Sequence, residues 1–531
     1  MLKLLSFFTF LVFSTFILNG QNTPPSCVIT MPHNNAYFKE GTDITIKVYA
    51  SDLGGTQTGG SVSKVEFFKD DIKLGESTTA TSNTYTFKWA KVPAGTYRLT
   101  AKATDNTDTI STSAGVIITV GATDAVPVGI TANKGKYLAN IVAYSIRSDF
   151  KTYWNGVTSE NGCKWGSVEG TRDLMNWNNA DLAYNLAKNN HLSFRYHAIA
   201  WGAQYPKWIE TLSPADFQAE IEEYMAAIAA RYPMIDQIDV LNENMAINTW
   251  NKQEHQAGTP YFRAGMGGPG VTGYDWAIWL FEKARHYFPN AKLMINDFEL
   301  ETNAAGLNEI LALVKVLRDR GLIDGFGTQA HYFNIDGIAT STLQNALNNM
   351  AKSGVPVYVT ELDMKGKTVS EAGQLTSYKT AFPVYWNHPA VAGITLWGYV
   401  EGSTWATNTG ILNSNGTKRS AMTWLESYAA ALPDVGYPFG DGTVTAITET
   451  ELQQSIAVYP NPVTSGKITV ENRTSENIET IFIIDLQGRV VKTVQIDSQK
   501  SEVNLTDLQN GIYNLRIQTK KSVESRKIVI L

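Results

Sequence analysis

Cysteine is nearly absent from this sequence: Cys27 and Cys163 are the two in 531 residues. That scarcity excludes a disulfide-stapled framework and a cysteine-ligated zinc site. Also missing is any basic run long enough to follow a phosphate backbone. The 44 Lys and Arg stand against 50 Asp and Glu, a net charge of −6, so nucleic acid is not an expected partner. No glycine-rich phosphate loop follows an early strand-like run, which argues against a doubly wound nucleotide-binding sheet. One apolar run begins the chain, Leu4 to Leu18, after Met1-Leu2-Lys3 and before Asn19-Gly20-Gln21. It is short for a membrane span and lacks a basic stop-transfer flank, so residues 1–20 read as a signal peptide. Pro24-Pro25-Ser26 ahead of Cys27 lacks the small and apolar residues of a lipid-attachment site. The mature protein is therefore expected to be exported and to have no membrane span.

What is present is length and aromatic surface. A chain of 531 residues is too long for one ordinary core and predicts three or so domains. The 13 Trp and 24 Tyr fill cores or stack on ligands with apolar faces, sugar rings among them. Over 21–121 the alternation at Ile44, Ile46, Val48 and Ala50, at Val65 and Phe67, and at Tyr97, Leu99, Ala101 and Ala103 has the period of half-buried strands. About seven short strands with turn signals between them predict an immunoglobulin-like β-sandwich. Val65-Glu66-Phe67-Phe68 through Lys73-Leu74-Gly75 resembles the hairpin of bacterial Ig-like modules, whose role here is either spacing or carbohydrate binding.

From 127 to 432 strand-like runs alternate with amphipathic helices, which predicts a (β/α)8 TIM barrel. One helix opens on Ser213 as N-cap, with Pro214 at its first position and a buried face of Phe217, Ile221, Met225 and Ile228. Another carries Leu307, Ile310, Leu311, Val314 and Leu317, stops at Gly321 and leads into a strand over Gly325 to Gln329. A linker is expected over 433–454. From 455 to 531 strands return, at Ile468 to Val470, Thr480 to Asp485, Tyr513 to Ile517 and Lys527 to Leu531, with turns at Gln487-Gly488 and Asn510-Gly511. The expected architecture is thus a multidomain chain: a TIM barrel flanked by an N-terminal Ig-like sandwich and a C-terminal β-sandwich.

Polar residues just after barrel strands project into the site at the C-terminal face. Ile238 to Leu241 ends in Asn242-Glu243, and Val357-Tyr358-Val359 ends in Thr360-Glu361-Leu362-Asp363. On the expected fourth and seventh strands, these supply the carboxyl pair that glycoside cleavage needs.

Both segments resemble the signatures of glycoside hydrolase family 10. So do Glu160-Asn161-Gly162-Cys163-Lys164-Trp165, His197 to Gln204 with Pro206 and Trp208, Ile323 to His331, and Thr395-Leu396-Trp397-Gly398 with Trp405. They occur in family order from about 150 to 405. The resemblance implies a retaining endo-1,4-β-xylanase acting on xylan, with no metal or cofactor. Glu243 would be general acid and then base, its pKa held up by the neighbouring nucleophile, and Glu361 the nucleophile. Asn242 would bind the sugar 2-hydroxyl, and His331 with Asp363 would orient Glu361. Asn161, Lys164, His197, Gln204 and Gln329 would grip substrate, and Trp201, Trp397 and Trp405 would wall it. Two departures, Gly202 where many relatives have His and Glu299 where many have Asn, bear on sugar contacts. A β-1,4-glucanase or mixed xylanase/cellobiosidase, and a non-catalytic carbohydrate-binding protein, stay as alternatives.

In the tail, Val458-Tyr459-Pro460-Asn461-Pro462, Asp485 to Val491 and Leu508 to Tyr513 resemble the C-terminal sorting domain of Bacteroidetes type IX secretion. That resemblance implies secretion and cell-surface attachment machinery as partners and an extracellular or surface location.

Overall fold

The computed structural model describes residues 22–54, 60–245, 260–434, 440–442, 456–461, 463–464, 466–472, 477–485, 490–519 and 523–530. The expected signal peptide, most of the expected linker and the Gln487-Gly488 turn lie outside these residues. The chain divides into two units, Met1–Gly442 and Thr443–Leu531.

The first unit opens with a β-sandwich. Ser26–Met31, Ile44–Ser51, Thr84–Trp89 and Ala80–Thr81 form one sheet; Ala36–Lys39, Val116–Gly121, Gly95–Asp105, Val62–Lys69 and Ile72–Ser77 form the other, with Ile110–Thr112 paired to Gly95–Asp105. The three strands beyond the expected seven are Ala36–Lys39, Ala80–Thr81 and Ile110–Thr112. At two to four residues they are too short to show a period of two. All the residues in the alternating sets named above are buried where the period predicts.

This sandwich is docked, not strung on a linker. Its core cluster takes in Tyr137, Ala139, Met294 and Tyr358 from the barrel. Around them a polar collar joins the sandwich to the N-terminal ends of barrel strands. Ser26 Oγ donates to the Gly354 carbonyl at 2.6 Å and His33 Nε2 to the His191 carbonyl at 2.8 Å. The Asn34 main-chain N–H donates to Asp236 Oδ1 at 2.9 Å, and Asn34 Nδ2 to the Ile235 carbonyl at 3.0 Å. Asp236 is buried and also pairs with Lys292 at 2.6 Å. Each of these groups would cost free energy if buried without its partner.

Eight parallel strands close the barrel in chain order: Tyr137–Val142, Gly156–Ser159, Ser193–Trp201, Gln237–Asn242, Lys292–Asp297, Gly325–Thr328, Val357–Leu362 and Val391–Leu396. We call them strands 1 to 8. The helix Pro214–Arg231 begins as its sequence predicts, with Ser213 Oγ accepting the Asp216 N–H at 3.2 Å. In Ala304–Arg318 the buried face includes Leu313, while the expected Leu311 is half-buried. The strand after it stops at Thr328, so Gln329 leaves the ladder at the C-terminal face. Ala125–Pro127, just before the barrel, pairs antiparallel with Gly440–Gly442 just after it.

In the second unit, a three-stranded sheet and a four-stranded sheet share a core of Ile468, Val470, Ile481, Ile483, Leu515 and Ile517, with further aliphatic residues.

Asn34→Ala tests the docking. It removes the bond to Ile235 and leaves the Ile117 N–H, which Asn34 Oδ1 accepts at 2.8 Å, without its partner. The first unit should lose about 1–3 kcal/mol in urea denaturation, with sandwich and barrel still unfolding together. A barrel transition that stays in place while the sandwich melts separately would count against it.

Candidate active site

Side chains at the C-terminal ends of strands 3 to 8 converge on two carboxyl groups. Glu243 follows strand 4 with a left-handed backbone, φ 55°, a conformation uncommon for a residue with a Cβ. Three hydrogen bonds hold the turn. The Glu243 N–H donates to the Asn296 carbonyl at 2.8 Å, and the next two N–H groups, of Asn244 and Met245, both donate to Asp297 Oδ2 at 2.8 Å. Burial first, then the Glu243 charge, pushes the Asp297 carboxyl well up from its usual range. The Glu243 side chain accepts from Gln329 Nε2 at 3.1 Å. Burial raises its carboxyl to about 7, with the Glu361 charge adding to the rise; the Gln329 bond and the Trp201 N–H oppose it. The neighbouring charge is therefore the lesser cause, and loss of solvation the greater, in contrast to the expectation from sequence.

Glu361 lies within strand 7 and is buried. Asn296 Nδ2 donates to its Oε1 at 2.7 Å, and His331 Nε2 lies 3.3 Å from its Oε2. Burial alone would raise this carboxyl too. The His331 bond, with the charges of His197, His331 and Arg195, overcomes burial and brings it down to about 2. His331 holds its other nitrogen 3.2 Å from Asp363 Oδ2. Although burial disfavours its charge, Asp363 and Glu361 raise its pKa to about 10. Asp363 also accepts from the Tyr332 N–H at 2.8 Å and from Trp405 Nε1 at 2.5 Å.

Asn242 is buried, and its Oδ1 accepts from Asn296 Nδ2 at 2.8 Å. Its own Nδ2 has no partner among the described residues. Lys164 donates to Asn161 Oδ1 at 2.9 Å, and its ammonium sits 4.6 Å from the centre of the Trp201 ring. Burial lowers this lysine to about 8, against the pull of Glu361, Glu160 and Glu243. His197 reaches Asp239 Oδ2 at 2.7 Å, and Trp397 is packed edge-on to it with ring centres 5.3 Å apart. Gln204 lines a small pocket with Lys164 and Trp201; its side chain is exposed and has no hydrogen bond among the described residues.

Three site residues escape the sequence reading. Asn296 ends strand 5 and bonds both Asn242 and Glu361; applying the end-of-strand rule there, as on strands 4 and 7, finds it. Arg195 and Asp239 form a buried ion pair at 3.0 Å inside the barrel. Arg195 also donates to the Thr360 carbonyl at 2.8 Å, immediately before Glu361. A charged residue in the otherwise strand-like Phe194-Arg195-Tyr196 was the available signal.

Asp239→Asn keeps the shape of that side chain but leaves the Arg195 charge buried without its counter-ion. The expected loss is about 3–5 kcal/mol of stability, measured by urea denaturation of the full chain. An unchanged midpoint would show that water or another group compensates Arg195.

Residues 25–101 match the model for a bacterial Ig domain, and residues 457–531 that for a secretion system C-terminal sorting domain. Among curated proteins, the chain is 39% identical over 292 residues to endo-1,4-beta-xylanase B of Cellvibrio japonicus (strain Ueda107), a match covering 55% of this chain and 45% of that protein. It is 30% identical over 260 residues to endo-1,4-beta-xylanase 3 of Hypocrea jecorina, covering 48% and 68% respectively. The chain thus spans less than half the length of the first of these relatives. The solved structure of GH10 from Paenibacillus barcinonensis shares the fold, with a TM-score of 0.50 at 21% identity over 58% of this chain and 98% of that one. The glycosyl hydrolase family 10 model matches residues 119–428, more than half of the chain and the whole of the closed barrel, so the chain belongs to glycosyl hydrolase family 10.

Proposed function

We propose that the chain is an endo-1,4-β-xylanase that hydrolyses internal β-1,4-xylosidic bonds of xylan with net retention. The observation that carries this reading is a carboxyl pair at the ends of strands 4 and 7 of a family 10 barrel, Glu243 bonded to Gln329 and Glu361 to Asn296 and His331; these surroundings raise Glu243 to about 7 and lower Glu361 to about 2. Between those values one is protonated while the other is ionised, as acid and nucleophile must be. A Glu361 oxygen attacks the anomeric carbon as Glu243 gives its proton to the departing glycosidic oxygen. The C–O bond breaks and a glycosyl-enzyme ester forms. Glu243, now a carboxylate, takes a proton from water, whose oxygen attacks the same carbon and releases Glu361.

Supporting roles follow from the contacts. His331, held by Asp363, keeps Glu361 ionised and oriented. The unpartnered Asn242 Nδ2 is a donor suited to the 2-hydroxyl of the reacting sugar. Lys164, Asn161, His197 and Gln329 grip hydroxyls, while Trp201, Trp397 and Trp405 supply apolar walls; Gln204, being exposed, acts at the rim. We assign residues 1–20 to a signal peptide, 21–121 to the Ig-like module, 127–432 to the catalytic barrel, 433–454 to a linker and 455–531 to a sorting domain. This organisation supports export and delivery to the extracellular space or cell surface by the sorting machinery.

Two experiments test the chemistry. Glu361→Ala should abolish turnover. Glu243→Ala should still form the glycosyl-enzyme from aryl xylosides with good leaving groups, because these need little protonation, and added azide should yield a β-xylosyl azide. An α-configured first product from the wild type, seen by NMR, would rule out double displacement. The second experiment is a pH profile on soluble xylan. Activity should fall as pH rises through about 7, where Glu243 loses its proton, and as pH falls towards about 2, where Glu361 gains one. Gln329 stabilises the ionised form of Glu243, so Gln329→Ala should move the alkaline limb to higher pH. Movement to lower pH would refute that assignment.

A further inference from the structure

A cavity of about 520 Å³ lies between the loops after strands 1, 2 and 8. It shares two side chains with the site. Asn161, which holds Lys164, and Trp405, which donates to Asp363, both line it. Tyr144, on the loop after strand 1 and 74% exposed, lines it as well. This ring has no hydrogen bond or aromatic contact among the described residues, so nothing in the fold requires a large aromatic side chain there. Single exposed apolar side chains are ordinary, but the distribution here is not scattered. Within residues 22–442, the described aromatic side chains exposed by more than a third are Tyr144, Phe333 and Trp405. All three follow barrel strands at the C-terminal face, after strands 1, 6 and 8.

From these positions we infer that Tyr144 is a stacking platform for an uncharged sugar ring, one further from the cut than the rings gripped at Lys164 and Asn161. The cavity chemistry selects a neutral occupant. Its cation, Arg147, is already held by Asp149 through two bonds of 3.1 and 2.8 Å. Asp149 in turn accepts from the Tyr399 hydroxyl at 3.1 Å. The pair leaves no free positive charge to attract an acidic sugar, while Tyr144 offers an apolar ring face to the C–H groups of a pyranose. Ser145, Ser403 and Glu160 on the other walls are partners for its hydroxyls. Tyr144 therefore sets the length of substrate the enzyme prefers and takes no part in bond cleavage.

The inference rests on the xylanase reading, and the test separates the two. Nitrophenolate release from 4-nitrophenyl β-xylobioside and β-xylotrioside fixes the position of the cut, so the third sugar can extend only away from the leaving group. In the wild-type full chain, kcat/KM should rise about threefold to tenfold from bioside to trioside, the range of one aromatic contact. Tyr144→Ala should lose that rise and leave the bioside unchanged, whereas Tyr144→Phe should keep it. The platform is overturned if the wild type shows no rise, if the rise survives in Tyr144→Ala, or if Tyr144→Ala falls equally on both substrates. Inactivity of the wild type on both substrates would overturn the xylanase reading itself and, with it, this choice of ligand.

Discussion

One primary amide, that of Asn296, ties together the ends of three barrel strands. Its nitrogen donates to Asn242 Oδ1 on strand 4 and to Glu361 Oε1 on strand 7, while its oxygen accepts from Thr360 Oγ1 at 2.5 Å. Both protons and the oxygen are engaged, so the group cannot turn over without breaking every contact. Two consequences follow. Asn242 is held with its oxygen inward and its amino group unpartnered, and one oxygen of Glu361 is fixed while His331 takes the other. The barrel ladder places the strand ends within reach of one another. This amide selects which atoms face the pocket.

The two carboxyls illustrate how local donors override a shared environment. Loss of water raises both pKa values, and it is the largest single influence on each. What separates them is the company each one keeps. Glu361 has a charged histidine, an amide donor and Arg195 behind it, whereas Glu243 faces a neutral amide and a like charge. A barrel with only apolar walls would leave both protonated and the site inert. Arg195, held by its buried ion pair with Asp239, is thus part of the electrostatics of Glu361, although neither residue belongs to its strand.

Much of this was legible in the sequence, because local signals and tertiary demands agree there. Ser213-Pro214 caps its helix, the period-two runs become strands, and Glu243 and Glu361 stand at the ends of strands 4 and 7. Leu311 and Leu313 differ from expectation because a helix carries a broad apolar stripe, and the neighbouring strands decide which of its edges is covered. The docking of the sandwich was hidden for another reason. Asn34 and Asp236 are 202 residues apart, and polar residues at an interface look like ordinary surface residues until their partners are known. Arg195 was masked likewise, since a single charge in an apolar strand has meaning only once Asp239 is seen opposite.

The pairing of Ala125–Pro127 with Gly440–Gly442 has a mechanical side. The barrel is entered and left by backbone segments that are zipped together against the sandwich strand Ala36–Lys39. Tension applied through the residues after Gly442 reaches the first unit at that residue. The load falls first on this short ribbon, whose hydrogen bonds can open and re-form, before it reaches the helix Ser420–Ala431 or the strands that align Glu243 with Glu361. Such a ribbon can take up strain before the carboxyl-bearing strands do.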